Sequence, residues 1–185
     1  EGIEQVAQTV MITMGPKGKN VLLGKSYGSP IPTNDGVTVA KEIEFQDPYL
    51  NAGSQIIKEA ADNTNKIAWD GTTTTTTLLY GIAKEWQRYV RAGVNPFSLS
   101  RGLHTGAQKI IEHLQSLTTP VAHKDNIKQV ASISAQDDEV GELIADIIEE
   151  VGKDGVISVE EWKSIGLTKE VVTGMEFEQG YGSPY

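Results

Sequence analysis

The sequence predicts a mainly α-helical chain that contains one small β-hairpin and changes to an α+β segment after about residue 117. Apolar residues recur at spacings of three and four along most of the chain, which is typical of helices that bury one face. Two short strand-like runs, 20–23 and 31–33, flank a segment with Gly and Ser, which indicates a hairpin. Shorter helical patterns follow the sequence Thr118-Thr119-Pro120, so we expect a domain boundary near 118–121.

The individual helices follow from apolar spacing and from residues that start or stop helices. The first is predicted from Ile3 to Met14, before a Gly-Pro pair. Asp35 is a suitable N-cap for a short helix through Glu42, because its carboxylate can accept hydrogen bonds from first-turn amides. Further helices are predicted at about 50–66, 78–93, 96–117, 124–133 and 138–151. The segments DGVISVEEW and KEVVTGMEF are predicted to be antiparallel strands.

Composition argues against several classes of function. The net charge is -9 and no basic stripe is present, which disfavours binding to nucleic acid or to anionic membranes. The absence of cysteine excludes disulfides, thiolate zinc sites and cysteine nucleophiles. No apolar run approaches the roughly 18 residues of a membrane-spanning helix. The first and last residues interrupt patterned segments, so we expect the chain to be truncated on both sides.

The segment WDGTTTTTTLL contains the components of a phosphate site. Asp70 can hold a divalent cation, and Gly71 with the following threonines can present amides and hydroxyls at a helix N-terminus. The alternatives are a threonine-rich strand or a helix capped by Asp70, and spacing alone slightly favours these structural interpretations.

Two other turns have the same ambiguity. The segment TMGPKGKN, residues 13–20, can bring main-chain amides close to an anion, but it is also an ordinary surface turn. It is not a P-loop, because Gly15 and Gly18 enclose only two residues, which disfavours a small ATP-dependent phosphotransferase. Asp35 either only caps its helix or also polarises a water molecule beside a γ-phosphate.

Several blocks in a fixed order resemble the group I chaperonins, the family of bacterial GroEL and its mitochondrial and plastid relatives. The blocks are VMITMGPKGKNVLL, YGSPIPTNDGVTVAKEIE, NAGSQIIKEAADNTN, DGTTT, AGVNPFSLSRG, QVASISAQDDEVGELIADIIEEVGKDGVISVE and GMEFEQGYGSPY. They extend over nearly the whole chain, and their order is far more specific than any one block.

The resemblance implies a domain division and a nucleotide site. Residues 1–117 would form part of an equatorial ATP-binding domain, 118–172 the ascending part of an intermediate domain, and 173–185 the start of an apical domain. The implied cofactors are ATP and Mg²⁺, with Asp70 as the metal ligand and Asp35 assisting hydrolysis. The other residues that the resemblance places at the nucleotide are Thr13, Met14, Gly15, Pro16, Asn34, Gly71, Thr72, Thr73, Thr74, Ile133 and Ser134.

The implied function is that of a fragment of an ATP-dependent ring chaperonin that assists the folding of unfolded polypeptides. The fragment would hold half of the Mg-ATP site and would not turn over ATP alone. Its hairpin, Asn20 to Asn34, would pair with an identical subunit in the ring, while unfolded polypeptides and a co-chaperonin would bind an apical domain beyond this chain. The bacterial cytoplasm is the expected location, with the mitochondrial matrix or plastid stroma as alternatives.

Two departures from the family pattern affect the implied site. Trp69 stands where the family usually has Gly, and Asn34 stands where it usually has Lys. A tryptophan at a position of positive φ would be strained, and the loss of the lysine removes a positive charge near the phosphates. An alternative is therefore a non-catalytic structural or interaction protein derived from a chaperonin, with a degenerate nucleotide site.

Overall fold

The computed structural model describes residues 1–25, 28–152, 155–160 and 166–174. Its helices are α1 (Gly2–Met11), α2 (Gly36–Glu42), α3 (Pro48–Ala68), α4 (Thr72–Arg91), α5 (Pro96–Leu117), α6 (Lys124–Ala135) and α7 (Asp138–Val151). Its strands are β1 (Val21–Leu23) and β2 (Ile31–Thr33). The chain divides into two compact units, Glu1–Ile110 and Ile111–Tyr185, and the division falls inside α5. None of the described helices combines the length and apolar character needed to cross a membrane.

The core of the first unit is formed where α1, α2 and α3 meet. Six fully buried apolar residues form it: Val6, Ala7, Val10, Val39, Ala40 and Ile57. Helices α1 and α3 approach closely because a side chain is missing at Gly2, where a Cβ atom would lie 2.1 Å from the Leu50 carbonyl oxygen. Helix α4 joins this core through Leu79 and Tyr80, and the Tyr80 hydroxyl donates to Glu4 at 2.9 Å. The apolar spacing seen in the sequence therefore corresponds to a real shared core.

The predicted hairpin is present. Strands β1 and β2 are antiparallel, with Val21 opposite Thr33 and Leu23 opposite Ile31. Of the β1 residues, Leu23 is buried and Leu22 is 70% exposed. The hairpin leads directly into α2, so its second strand sets the position of Asp35.

An ion-pair cluster fixes α2 on α3. The Asp62 carboxylate lies 2.7 Å from the Lys41 ammonium and 2.6 Å from that of Lys66. Hydrogen bonds from Lys41 and then from Lys66 lower the pKa of Asp62 from 3.8 to about 2. Because Lys41 belongs to α2 and Asp62 to α3, this cluster helps to orient the helix that begins after Asp35.

The second unit contains a pair of packed helices, α6 and α7. Gly141 permits their contact, since a Cβ atom there would lie 2.0 Å from the Ser132 hydroxyl oxygen. Lys124 reaches from α6 to Asp146 at 2.6 Å and to Glu149 at 2.7 Å on α7. The hydrogen bond from Lys124 lowers the pKa of Asp146. A small residue at the contact and interhelical ion pairs thus join the two helices.

Three predictions about individual elements differ from the structure. Helix α1 ends at Met11 rather than Met14, because residues 12–14 turn back and Lys19 N–H donates to the Ile12 carbonyl at 2.9 Å. Helix α4 begins at Thr72 rather than Leu78, so the threonines are helical despite their preference for strands. The described residues 155–160 and 166–174 contain no strand; the remainder of both predicted strands lies outside the described residues.

The Asp62 cluster predicts a specific loss of acid stability. The carboxyl pKa is about 2 in the folded chain and near its ordinary 3.8 after unfolding, so the unfolded state binds more protons between these pH values. The stabilisation is therefore present above about pH 4 and is lost as the pH falls towards 2. We expect Asp62→Asn to lower the urea midpoint at pH 6 and to converge with the parent near pH 2.

Glu59→Gln is the matched control, because Glu59 is an exposed residue of α3 that has no ion pair with any described residue. It should follow the parent curve of urea midpoint against pH. Equal midpoints for Asp62→Asn and the parent across the whole pH range would show that the cluster contributes nothing.

Candidate functional site

The beginning of α2 lies against the beginning of α4. Gly36 is buried, and a Cβ atom added to it would lie 2.3 Å from the Thr73 hydroxyl oxygen, 3.1 Å from the Thr73 amide nitrogen and 3.2 Å from the Thr72 hydroxyl oxygen. A side chain at position 36 would require the Thr73 hydroxyl to turn away and the Thr73 main chain to shift by a few tenths of an ångström. Asp35 and Asn34 are thereby held next to the first turn of α4, although they are distant from it in sequence.

The six threonines of α4 divide into two groups according to their hydrogen bonds. The hydroxyls of Thr76 and Thr77 donate to carbonyls one turn back, at 2.9 and 2.8 Å, and Thr75 pairs with Thr64 at 3.0 Å. The hydroxyls of Thr72–Thr74 have no partner among the described residues. The physical reason is that first-turn residues have no carbonyl of their own helix to which they can donate. These hydroxyls remain available to an external acceptor.

The N-terminus of α4 has no side-chain cap. Its N-cap residue is Gly71, at φ 81°, and no acidic residue lies in the first turn. Asp70 does not cap the helix, so the interpretation of Asp70 as a helix cap is wrong; its carboxylate accepts from the Gly71 N–H at 2.6 Å. No described side chain therefore accepts a hydrogen bond from the first-turn amides of α4.

Trp69 has an unusual backbone conformation immediately before Asp70. It ends α3 in the left-handed region, at φ 56° and ψ 10°, and its N–H donates to Asn65 at 2.9 Å. The glycine that is usual at this position in the family suggested a positive φ, and the structure has one. A residue other than glycine is strained in this conformation. The side chain is 82% exposed, so it does not fill the space between α2 and α4.

Asp35 caps α2 as predicted. Its Oδ2 accepts from the Thr38 N–H at 2.9 Å and from the Thr38 hydroxyl, while the Asp35 N–H donates to the Thr33 hydroxyl at 3.1 Å. The other carboxylate oxygen, Oδ1, accepts from no described residue. Capping therefore uses one oxygen of Asp35, and the second can still serve a chemical function.

The loop after α1, residues 12–19, is held by contacts among its own main-chain atoms. The Gly18 N–H donates to the Gly15 carbonyl at 2.8 Å, and a Cβ atom at Gly18 would lie 2.2 Å from the Thr13 carbonyl oxygen. The Thr13 hydroxyl is already donated to Val10 at 2.8 Å, so its hydroxyl is not free. Within the described chain, the amides of Gly15 and Lys17 have no acceptor, and Met14, Gly15 and Pro16 are exposed.

This loop is linked to α4 by one side-chain contact. The Thr77 hydroxyl lies 3.6 Å from the Met14 sulfur, and Thr77 is one turn beyond Thr73. Helix α1, which leads into the loop, also packs on α4. The structure therefore places Gly36, next to 34–35, against Thr72 and Thr73, and it joins 13–16 to α4 one turn further along, at Thr77.

The two remaining predicted residues belong to the other unit. Ile133 and Ser134 lie on α6, and both are exposed, Ile133 by 79%. Their predicted role at the nucleotide stays a prediction. Thr38, which holds the Asp35 carboxylate, was not predicted; the only signal in the sequence was a hydroxyl residue three positions after a capping Asp.

One concave surface of the first unit lies away from these residues. It is an apolar groove formed by α1, α3 and α4 and lined by Ile3, Ile56, Leu79, Ile82, Trp86 and Val90. The candidate site is instead an open surface of amides, hydroxyls and carboxylates. Such a surface suits a charged, hydrated ligand better than an apolar one.

The donor groups at this surface fit a phosphate chain with magnesium. The described residues contain no cluster of three His, Asp or Glu side chains that could enclose a metal alone. Magnesium commonly takes one or two protein carboxylates and completes its shell with phosphate oxygens and water, which is the arrangement that Asp70 and the free amides would permit. Asp70 is exposed and uses one oxygen on Gly71.

The sequence model of the TCP-1/cpn60 chaperonin family matches residues 6–184, which is nearly the whole chain. The chain belongs to the TCP-1/cpn60 chaperonin family. The match does not distinguish the groups within this family, so membership of group I stays a prediction.

Two solved chaperonins show how much of such a protein this chain represents. The chaperonin gp146 from the bacteriophage EL 2 (Pseudomonas aeruginosa), solved in the presence of ATP-BeFx, is 31% identical, with a TM-score of 0.66 over 79% of this chain and 26% of that one. A group III chaperonin in the open state shares the fold, with a TM-score of 0.69 at 22% identity over 80% of this chain and 30% of its own. The chain thus spans between about a quarter and a third of these chaperonins.

The Gly36 contact predicts different outcomes for two Gly→Ala substitutions. Gly36→Ala places a methyl group against the Thr73 main chain and should destabilise the chain by about 1–3 kcal/mol through overpacking. Gly81→Ala is the control: it is a helical position in α4 where a Cβ atom meets nothing within 4 Å, and it should stabilise by up to about 1 kcal/mol. Urea unfolding measures the change in unfolding free energy of both variants. Equal changes would contradict the close contact of Gly36 with Thr73.

The conformation of Trp69 predicts that a smaller residue stabilises the chain. Trp69→Gly removes left-handed strain and loses little burial, so we expect a gain of about 0.5–1 kcal/mol in the free energy of unfolding. Trp86→Gly, the same substitution inside α4, should instead destabilise by at least about 1 kcal/mol. Thermal unfolding measures the stability of both variants. If Trp69→Gly were less stable than Trp86→Gly, the strain assigned to the Trp69 backbone would be contradicted.

Proposed function

We propose that this chain is part of an ATP-dependent ring chaperonin that assists the folding of unfolded polypeptides, and that it holds half of the Mg-ATP site. The observation that supports the proposal is the contact of Gly36, the residue after Asp35, with Thr72 and Thr73, whose hydroxyls have no partner among the described residues. The chaperonin gp146, solved with ATP-BeFx, supports nucleotide as the ligand.

The proposed roles follow from the donor and acceptor atoms that have no hydrogen-bond partner among the described residues. The first-turn amides and hydroxyls of α4 and the amides of Gly15 and Lys17 would bind phosphate oxygens. Asp70 would hold magnesium, which when bound neutralises charge on the phosphates. The free Oδ1 of Asp35 would orient or polarise the attacking water. Asn34 would offer only an amide beside the phosphates, so binding would lack one positive charge.

The wider proposal concerns the whole subunit. It includes the domain division into 1–117, 118–172 and 173–185. It also includes a contribution of Ile133 and Ser134 to nucleotide binding, and ATP hydrolysis coupled to protein folding. Identical subunits would assemble through the hairpin from Asn20 to Asn34, while unfolded polypeptides and a co-chaperonin would bind a more distant apical domain. A cytoplasmic location is proposed on the same family grounds.

Two observations favour a second candidate, a non-catalytic interaction protein derived from a chaperonin. Trp69 is strained and lies directly before the proposed magnesium ligand, and Asn34 carries no charge. In that case the site would not bind Mg-nucleotide, although the fold would be unchanged. The two candidates therefore differ in nucleotide binding.

Two substitutions in the full-length protein separate the roles of binding and hydrolysis. Asp70→Ala should abolish the magnesium-dependent part of nucleotide binding, measured by isothermal titration calorimetry with Mg-ADP. Asp35→Ala should keep the nucleotide affinity and lower kcat for ATP hydrolysis by about 10²-fold or more.

Asp47→Ala is the matched control, because Asp47 also caps a helix, α3, but lies outside the site. It should cost about 1 kcal/mol of stability and leave binding and kcat unchanged. If the parent protein binds no Mg-nucleotide, the second candidate is correct. If both Asp70→Ala and Asp35→Ala behave like the parent, the residue assignment is wrong.

A further inference from the structure

The cap of α2 differs from the other aspartate caps of the chain. Asp47 and Asp137 each use one carboxylate oxygen to accept two main-chain N–H groups, at 2.8 and 3.1 Å and at 2.8 and 3.2 Å respectively. Asp35 instead accepts both of its bonds from a single residue, the N–H and the hydroxyl of Thr38. A side chain thus takes the place of the second main-chain donor.

The Thr38 hydroxyl is not required for capping as such. The residue three positions after the cap is Leu50 behind Asp47 and Val140 behind Asp137, and both helices begin normally. A valine at position 38 would therefore keep the main-chain part of the cap, as α7 shows. The extra hydroxyl bond needs an explanation other than the start of α2.

The hydroxyl determines where the Asp35 carboxylate points. Two donors on Oδ2 fix the rotation of the carboxylate, and Oδ1 is left with no partner among the described residues. The next residue, Gly36, lies against Thr72 and Thr73, whose hydroxyls have no partner among the described residues. A carboxylate with one main-chain bond alone would rotate more freely.

We propose that Thr38 is a positioning residue for Asp35: its hydroxyl orients the carboxylate so that Oδ1 faces the reacting water. This inference rests on the proposed function, in which Asp35 assists ATP hydrolysis. Thr38 itself touches no reacting atom and acts only through Asp35. The loss of its hydroxyl should therefore affect the chemical step and not the binding of nucleotide.

The test compares Thr38→Val and Thr38→Ser in the full-length protein, by steady-state ATP hydrolysis. Thr38→Val should lower kcat by about three- to tenfold with little change in KM, because only the orientation of Asp35 is lost. Thr38→Ser restores the hydroxyl and should return kcat to within about twofold of the parent. Thr105→Val, at an exposed threonine of α5, is the matched control and should leave kcat unchanged.

A double-mutant cycle separates positioning from a general loss of structure. In the Asp35→Ala background, Thr38→Val should have no further effect on kcat, because the group it positions is gone. The inference is overturned if Thr38→Val has the parent kcat, if Thr38→Ser is as slow as Thr38→Val, or if the fold-change is the same in both backgrounds. An Asp35→Ala protein with the parent kcat would refute the proposed role of Asp35 itself.

Discussion

The site depends on the absence of one side chain. Because Gly36 has no Cβ atom, α2 can begin against the first turn of α4, within contact distance of Thr72 and Thr73. The buried core of α1, α2 and α3 and the ion pair from Lys41 to Asp62 hold α2 in this position. The residue after the Asp35 cap thus touches the first turn of α4, and no hydrogen bond joins the Asp35 carboxylate to the Thr72 or Thr73 hydroxyl.

Much of the fold could be predicted, because its signals are local. The hairpin, the Asp35 cap and the bounds of α5 and α7 follow from turn residues, capping residues and apolar spacing. The predicted start of α4 was wrong. Thr72 and Thr76 are buried, and their tertiary packing overrides the strand preference of threonine. The strands predicted near the C-terminus were not seen in the described residues, and an isolated two-stranded ribbon is only marginally stable.

The site was predicted by family resemblance more than by chemistry. Each segment had an ordinary structural explanation, and nothing in the sequence shows that Gly36 touches Thr72 and Thr73 or that Met14 touches Thr77. The sequence also could not show that Thr13 uses its hydroxyl on Val10, or that Thr72–Thr74 keep theirs free, since both depend on backbone geometry. The positive φ of Trp69 was foreseen only because a glycine is usual there.

The central claim is that two stretches of this chain, 12–19 and 70–75, bind the same nucleotide. Hydrogen exchange measured by mass spectrometry, with and without Mg-ATP, tests it most directly, because both stretches contain main-chain amides without protein acceptors. We expect bound nucleotide to slow exchange in both stretches together. Binding of nucleotide that leaves either stretch unprotected would contradict it.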